Sequence, residues 1–474
     1  MIALLVALPL VAAGCSFIIP WHQARSWLLP AVSAVHLLLS TLFALGYLPS
    51  EGTWIGLDAL SSLVLVVTSL LFFGCALYAV GYLDLHPERG NKVMVPCLLI
   101  FLGAMSLAVT ARHLGLLWIA VEATTIASAP LIYFNRNRLT IEATWKYLLI
   151  CSVGIALAML GLLFVAYSAL GSGVPVSLQF DKLLSQATTL SKPWLHTGFV
   201  FMLVGFGTKM GLAPLHTWKP DAYGEAPGLV GALLAGGLTS VAFLAILRGV
   251  QLMTAAGDGA LARQELLGMG ILSLLVAAVF MVGQPDIKRL LAYSSVEHMG
   301  LLAIGVSIGG LATFGAMLHL VNNALTKGGL FLAAGNIQRA FASKHLSEVR
   351  GALSVLPVSG TLFLAGFLAI TGSPPFGPFM SEFTILRGIF GSDRLVVGLL
   401  VLLLLATVFI GMGATVLAAT QGEASEATPG FRDSPLLCIS PLCFMLLILL
   451  IGVYIPEPMQ NALHQAAALL EVQP

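Results

Sequence analysis

The chain has 474 residues, of which 58% are hydrophobic and only 9% charged, with a formal net charge of +1. Soluble proteins carry about 25% charged residues, so a soluble domain is excluded, and the near-neutral balance offers no face for nucleic acid. The six cysteines, Cys15, Cys75, Cys97, Cys151, Cys438 and Cys443, lie in or beside apolar runs and form no CxxC pair, which argues against a zinc or iron–sulfur site.

The opening MIALLVALPLVAAGC imitates a signal peptide. It lacks a positive n-region and its apolar run continues to Ile19, so it reads as a retained first span. With roughly 20 apolar residues per span, spans fall near 2–20, 27–48, 57–82, 93–110, 114–134, 143–170, 195–213, 228–253, 265–283, 291–309, 311–338, 353–372, 395–419 and 435–455. This predicts an all-α polytopic membrane protein of about 14 transmembrane helices. The longest polar interruption is 171–193, too short for a nucleotide- or flavin-binding domain. Lysine and arginine are more frequent in the odd-numbered connections, for example Arg25, Arg136, Lys288 and Lys344. The positive-inside bias then makes those connections cytoplasmic and both termini periplasmic.

Two spans are broken. In the seventh, GFGTKMGLAPLHTWKPDAYGEAPG places Lys209 in an apolar helix with no acid within four residues. Pro214 and Pro220 then interrupt it around His216, Trp218 and Lys219. In the twelfth, ITGSPPFGPFMSEF breaks at Pro374, Pro375 and Pro378 and places Glu382 in the resumed helix. A lysine in hydrocarbon costs about 2.5–3.5 kcal/mol even on lenient scales. Irregular backbone at membrane depth is tolerated only where it is buried in protein or lines a wet cavity. Broken spans in corresponding positions of two halves point to inverted repeats with a midplane site.

Further positions carry chemistry. Glu122 lies mid-span in LGLLWIAVEATTIASAPLIYF. Its bland reading is a carboxylate bonded to Thr125 one turn away; its functional reading is a proton site partnered by Lys209. A Glu–Lys pair at ~4 Å and a dielectric of ~20 is worth about 4 kcal/mol. Closing it holds the lysine protonated, and opening it lets the proton go. His319, Asn323 and Lys327 stand at i, i+4 and i+8, on one helix face. They read either as a proton wire with Lys327 as its central store or as interhelical hydrogen bonding alone. DIKRLLAYSSVEH (286–298) leads into a span; Lys288 and Arg289 read as interfacial anchors or path members, and Ser294 with His298 could line a proton entrance. Glu382 reads as the terminal acid or as a solvated carboxylate beside the prolines. His216, Asp221 and Glu225 border the first break and could equally cap helix ends, while Asp58 looks like a helix cap. No nucleophile triad, phosphate loop or metal-ligand spacing appears, so no catalytic residue, metal or cofactor is expected on this chain.

KMGLAPLHTWKPDAYGEAP (209–227), DIKRLLAYSSVEHMG (286–300), VEATT (121–125) and GSPPFGPFMSEF (372–383) resemble the antiporter-like subunits of respiratory complex I, Mrp-type antiporters and group-4 membrane-bound hydrogenases. The likeness spans roughly 50–420 and is strongest to the hydrogenase-4 component F branch. It implies two inverted five-helix repeats, at 93–253 and 265–419, with helices 1–3 in 1–92 and a last helix in 420–474. It also implies translocation of H⁺ or Na⁺ in a bacterial inner membrane, by a non-catalytic pumping subunit. The expected partners are other antiporter-like subunits and a hydrophilic redox arm of iron–sulfur, hydrogenase or NADH dehydrogenase-type subunits. The alternative is a redox-independent Mrp-like antiporter or ion-driven uptake system. Matched motif by motif, Glu122, Lys209, Lys327 and Glu382 become the fifth-span acid, its lysine partner, the central lysine and the terminal charge. Many complex I members place Lys or His near Ser240, in the eighth span; here Thr239 and Ser240 stand there. The link between halves is then expected to run through hydroxyls and water.

Overall fold

Helix follows helix through the described residues because apolar runs of helical length, parted by short polar or Gly/Pro-containing connections, make up most of the chain. A computed structural model describes residues 1–87, 90–173, 175–423 and 431–471. The first group is α1 (Ala3–Ile18), α2 (His22–Ala44), α3 (Ala59–Asp84), α4 (Met94–Thr110), α5 (Leu114–Ile132) and α6 (Arg138–Leu170). After the short α7 (Phe180–Ser185) come α8 (Lys192–Met210), α9 (Trp218–Glu225), α10 (Gly228–Ala232) and α11 (Thr239–Ala255). Then follow α12 (Gly259–Met281), α13 (Ile287–Ile308), α14 (Leu311–Phe341), α15 (Ala352–Val355), α16 (Pro357–Ile370), α17 (Gly377–Gly391), α18 (Leu395–Thr420), α19 (Pro435–Val453) and α20 (Glu457–Ala468). Nine of the helical stretches among the described residues are long and apolar enough to cross a membrane, and α1, α4 and α16 are shorter apolar helices. This is an all-α, multi-pass membrane protein.

Caps fix the helix starts. Asp58 accepts from the Ser61 amide at 2.8 Å to open α3, as its sequence position predicts, and also pairs with Arg248 of α11. Asn137 and Thr140 form a reciprocal capping box at α6. Asp286 accepts from the Lys288 and Arg289 amides, so α13 begins several residues before the predicted 291. That start puts Lys288 inside a helix: it is fully buried and donates to the Ala226 carbonyl and Gln338, so it is no interfacial anchor.

Both breaks are built alike. Gly211 ends α8 in the left-handed region (φ +82°), and Gly372 follows α16 with φ +69°. In each, proline stands three residues on, at Pro214 and Pro375, across a cis peptide bond. The helix then resumes as α9 or α17.

The core lies on α10–α11, α13 and α14, which are almost wholly buried. Between α10 and α11 the residues Leu233–Leu238 form a π-helical turn, a feature common near functional sites. Glycines bring the backbones together there: a Cβ on Gly228 would stand 2.6 Å from the Phe331 carbonyl, and one on Gly236 2.9 Å from that of Ala324. A second glycine seam joins α6 to α8. A Cβ at Gly161 would meet the Gly198 carbonyl at 2.7 Å, and one at Gly205 the Gly154 carbonyl at 2.6 Å. Without hydrophobic drive between helices in lipid, such small-residue seams set interhelical distance. This one fixes how far Lys209, one turn past Gly205, stands from α5 and α6.

Candidate functional site

Lys209 is fully buried at the end of α8. Its Nζ donates to Thr125 Oγ1 of α5 and to the Tyr147 hydroxyl of α6, both at 2.8 Å. Thr125 in turn donates to Glu122 Oε2 at 3.0 Å. The predicted pair is therefore brought together, but through a hydroxyl and not as a direct ion pair. Thr125 suits this because a hydroxyl accepts from an ammonium while donating to a carboxylate. Ser152 donates to the other Glu122 oxygen at 3.2 Å, on a face where Ile119, Ile126 and Val153 are exposed. Glu122 is thus half-buried at the flank of the protein, and Lys209 is deep within it.

The second half holds a similar group. Lys327 Nζ, fully buried, donates to Ser294 Oγ of α13 at 2.6 Å and to the Leu291 carbonyl at 3.3 Å. Glu297, three residues beyond Ser294, is buried and interacts electrostatically with Lys327. Each half thus pairs a lysine with a carboxylate that lies three residues from a hydroxyl bonded to that lysine. Glu297 Oε2 has no hydrogen-bond partner and stands 3.7 Å from His298 Nε2, which has none either. His298 Nδ1 meets His319 Nε2 at 3.0 Å, and His319 Nδ1 meets Ser381 Oγ at 2.9 Å. Glu382 completes the series: it is buried, its Oε1 is unpaired, and a Cβ on Gly372 would overlap its carboxylate. One ligand-type atom from each of His298, His319 and Glu382 lies within 4.8 Å of the others. Asn323, between His319 and Lys327 on α14, has a buried, unpartnered Oδ1.

Several sequence-level readings change. Ser240 and Thr239 donate to the Gly236 and Ala235 carbonyls of their own helix, both at 2.6 Å. Neither bonds a lysine directly; a hydroxyl in a helix turns first to the carbonyl one turn back. Glu382 is not a solvated loop carboxylate. Asp221 and Glu225 neither cap nor line the buried series. Asp221 binds Lys146 at 2.8 Å and Arg289 at 2.6 Å, and Glu225 binds Lys344 at 2.6 Å, which also reaches Asp286 at 3.0 Å. These pairs tie α9 to α6, to α13 and to the segment after α14. His216 lies in the first break and takes no part in the lysine side-chain hydrogen bonds; its Nδ1 is buried and unpartnered among the described residues. Sequence reading missed Glu297, Tyr147 and Lys219. Glu297 and Lys219 were visible only as charges near apparent span ends, and a tyrosine hydroxyl inside a helix gives no signal of its own.

An all-α membrane fold threaded by buried ionisable groups from Glu122 to Glu382 defines an antiporter-like membrane subunit. The family described as "NADH:quinone oxidoreductase/Mrp antiporter, TM" matches residues 111–411, and the chain belongs to it. It is 34% identical to the hydrogenase-4 component F homolog of Methylacidiphilum infernorum, over 95% of each chain. It is 31% identical to NADH-quinone oxidoreductase subunit N of Desulforudis audaxviator, over 72% of this chain and 68% of that one. Among solved structures, a chain of respiratory complex I from Thermus thermophilus with bound NADH superposes with a TM-score of 0.83 at 26% identity, over 99% of this chain and 100% of that one.

Proposed function

We propose that this chain carries protons across a bacterial inner membrane as a pumping subunit of a redox-driven, hydrogenase-4-like or complex I-like assembly. What supports this most is the series of titratable groups, most of them fully buried, that runs through both halves, Glu122 bridged by the Thr125 hydroxyl to Lys209, then Lys327, Glu297, His298, His319 and Glu382. Burying so many such groups is costly unless they work. Protons move through it by handover. Thr125 couples the charge on Glu122 to Lys209, so a change beside Glu122 decides whether Lys209 keeps its proton. Lys327 stores the proton, Glu297 plays toward it the part Glu122 plays toward Lys209, and the His298–His319 pair passes it toward Glu382. The basic end, with Lys146, Lys288, Arg289 and Lys344, faces the cytoplasm and both termini face the periplasm. The partners are further antiporter-like subunits and a hydrophilic redox arm.

The test is purification of the tagged chain from native membranes, with proton uptake measured in inverted vesicles. Iron–sulfur and hydrogenase or quinone-reductase subunits should copurify, and uptake should persist without sodium. Recovery with cation-antiporter subunits alone would favour the Mrp-like reading, and uptake that requires sodium would change the ion. Thr125→Val should slow uptake about tenfold, equivalent to ~1.4 kcal/mol, and Thr125→Ser should restore it. Equal rates in all three forms would remove the hydroxyl bridge from the mechanism.

A further inference from the structure

Resting on the proton-transfer reading above, we infer that Lys219 is a proton-carrying residue that joins the two halves of the path. It occupies the stretch that the eighth-span hydroxyls leave unconnected. Among the described residues, Lys209 bonds only toward α5 and α6, and Lys327 only toward α13. Lys219, on α9 just past the first break, is fully buried. Its stem folds back over Gly211, where a Cβ would overlap it. Its Nζ donates to Ser295 Oγ at 3.0 Å and lies 5.7 Å from the centre of the Tyr223 ring.

Three features separate Lys219 from a packing residue. Buried lysines are ordinarily paired with an acid, yet among the described residues no carboxylate forms an ion pair with this one. An ammonium has three hydrogens to donate, and among the described residues one of them goes to Ser295. Its acceptor, Ser295, adjoins Ser294, the acceptor for Lys327. On the other side, the Trp218 and Tyr147 rings pack at a tilt with centroids 5.0 Å apart, so the residue before Lys219 packs against a residue bonded to Lys209. Lys327 lies within electrostatic reach of Lys219. Two interacting ammoniums disfavour joint occupancy, so a proton held on one discourages a proton on the other.

The step balances without any co-reactant. An N–H bond of the Lys219 ammonium breaks and one forms on a neutral Lys327 amine, and the positive charge travels with the proton. Each hydroxyl on the way accepts one proton and releases its own. Lys219 is left as a neutral amine, ready to be recharged from the Lys209 side.

The full chain in liposomes, with a trapped pH dye and a potassium diffusion potential, provides the test. Lys219→Met should cut proton flux at least tenfold. Lys219→Arg should cut it as far, because a guanidinium keeps the charge but does not release its proton; a purely structural cation would be replaced well by arginine. Lys219→His should retain part of the flux. Wild-type flux in folded Lys219→Arg or Lys219→Met overturns the inference while the wider path stands. Flux that Lys209→Met leaves intact, or a wild-type chain that conducts no protons, overturns the path itself and this inference with it. Should the Lys219 variants fail to fold, Ser295→Ala decides: a severalfold loss supports the connection and an unchanged rate removes it.

Discussion

Lys209→Met should abolish proton transfer while the assembled protein persists. Methionine fills similar space and suits an apolar surrounding, but it has no proton to hold. It leaves Thr125 and the Tyr147 hydroxyl without the donor that joins them. The expected loss is at least about a hundredfold in initial uptake rate, equivalent to ~2.7 kcal/mol, read in inverted vesicles at matched subunit content. Glu122→Gln should act one step earlier. The amide oxygen still accepts from one of the Thr125 and Ser152 hydroxyls and its NH2 donates to the other, but the group carries no charge, so Lys209 loses the influence that commits it to keeping or releasing its proton. Redox turnover then slows, or runs on with fewer protons moved per electron. Full pumping in a normally assembled Lys209→Met protein would show that the buried amines only pack helices.

Gly205→Leu should prevent stable folding. The α6–α8 seam brings backbone to within van der Waals contact at Gly205, where even a Cβ would press on the Gly154 carbonyl and the Ala158 backbone. Backbone on both sides leaves no flexible side chain to yield. Overpacking costs about 1–3 kcal/mol where neighbours can adjust, and here more, so loss of the monodisperse protein in detergent is the expected result. Gly205→Ala is the graded version: a lower melting temperature, together with slower proton transfer because Lys209 moves outward from Thr125. Gly14→Ala, on α1 with open space around it, should leave both unchanged. A Gly205→Leu protein that melts like wild type would mean the seam does not set the helix spacing.

Much of this arrangement is legible in the sequence where charge interrupts hydrocarbon. Lys209, Lys327 and the two proline breaks stand out because each is expensive at membrane depth, and both lysines prove fully buried. The same logic fails near span ends. Lys288 and Glu297 lie in a polar-looking stretch that resembles an interfacial anchor until Asp286 caps the helix early and draws the stretch inside. Lys219 looks like the solvated neighbour of Pro220, and only the fold over Gly211 shows it enclosed. Ser240 shows the converse failure: a hydroxyl at a plausible depth whose lone bond closes on its own helix. Sequence spacing gives depth along a helix. It does not give which neighbour a hydroxyl or a flexible stem chooses.

The ion pairs on Asp221 and Glu225 bear on how fast such a protein can work. They rivet α9, the piece carrying Lys219, to α6, to α13 and to the segment after α14 from its outer side. A helix held on three sides is a stator. With α9 held, the motions expected during turnover are those of single side chains and the water between them. Turnover should accordingly be paced by the wetting and drying of narrow gaps, and tightening the scaffold with cross-links on the outer side of α9 should leave the rate unaltered.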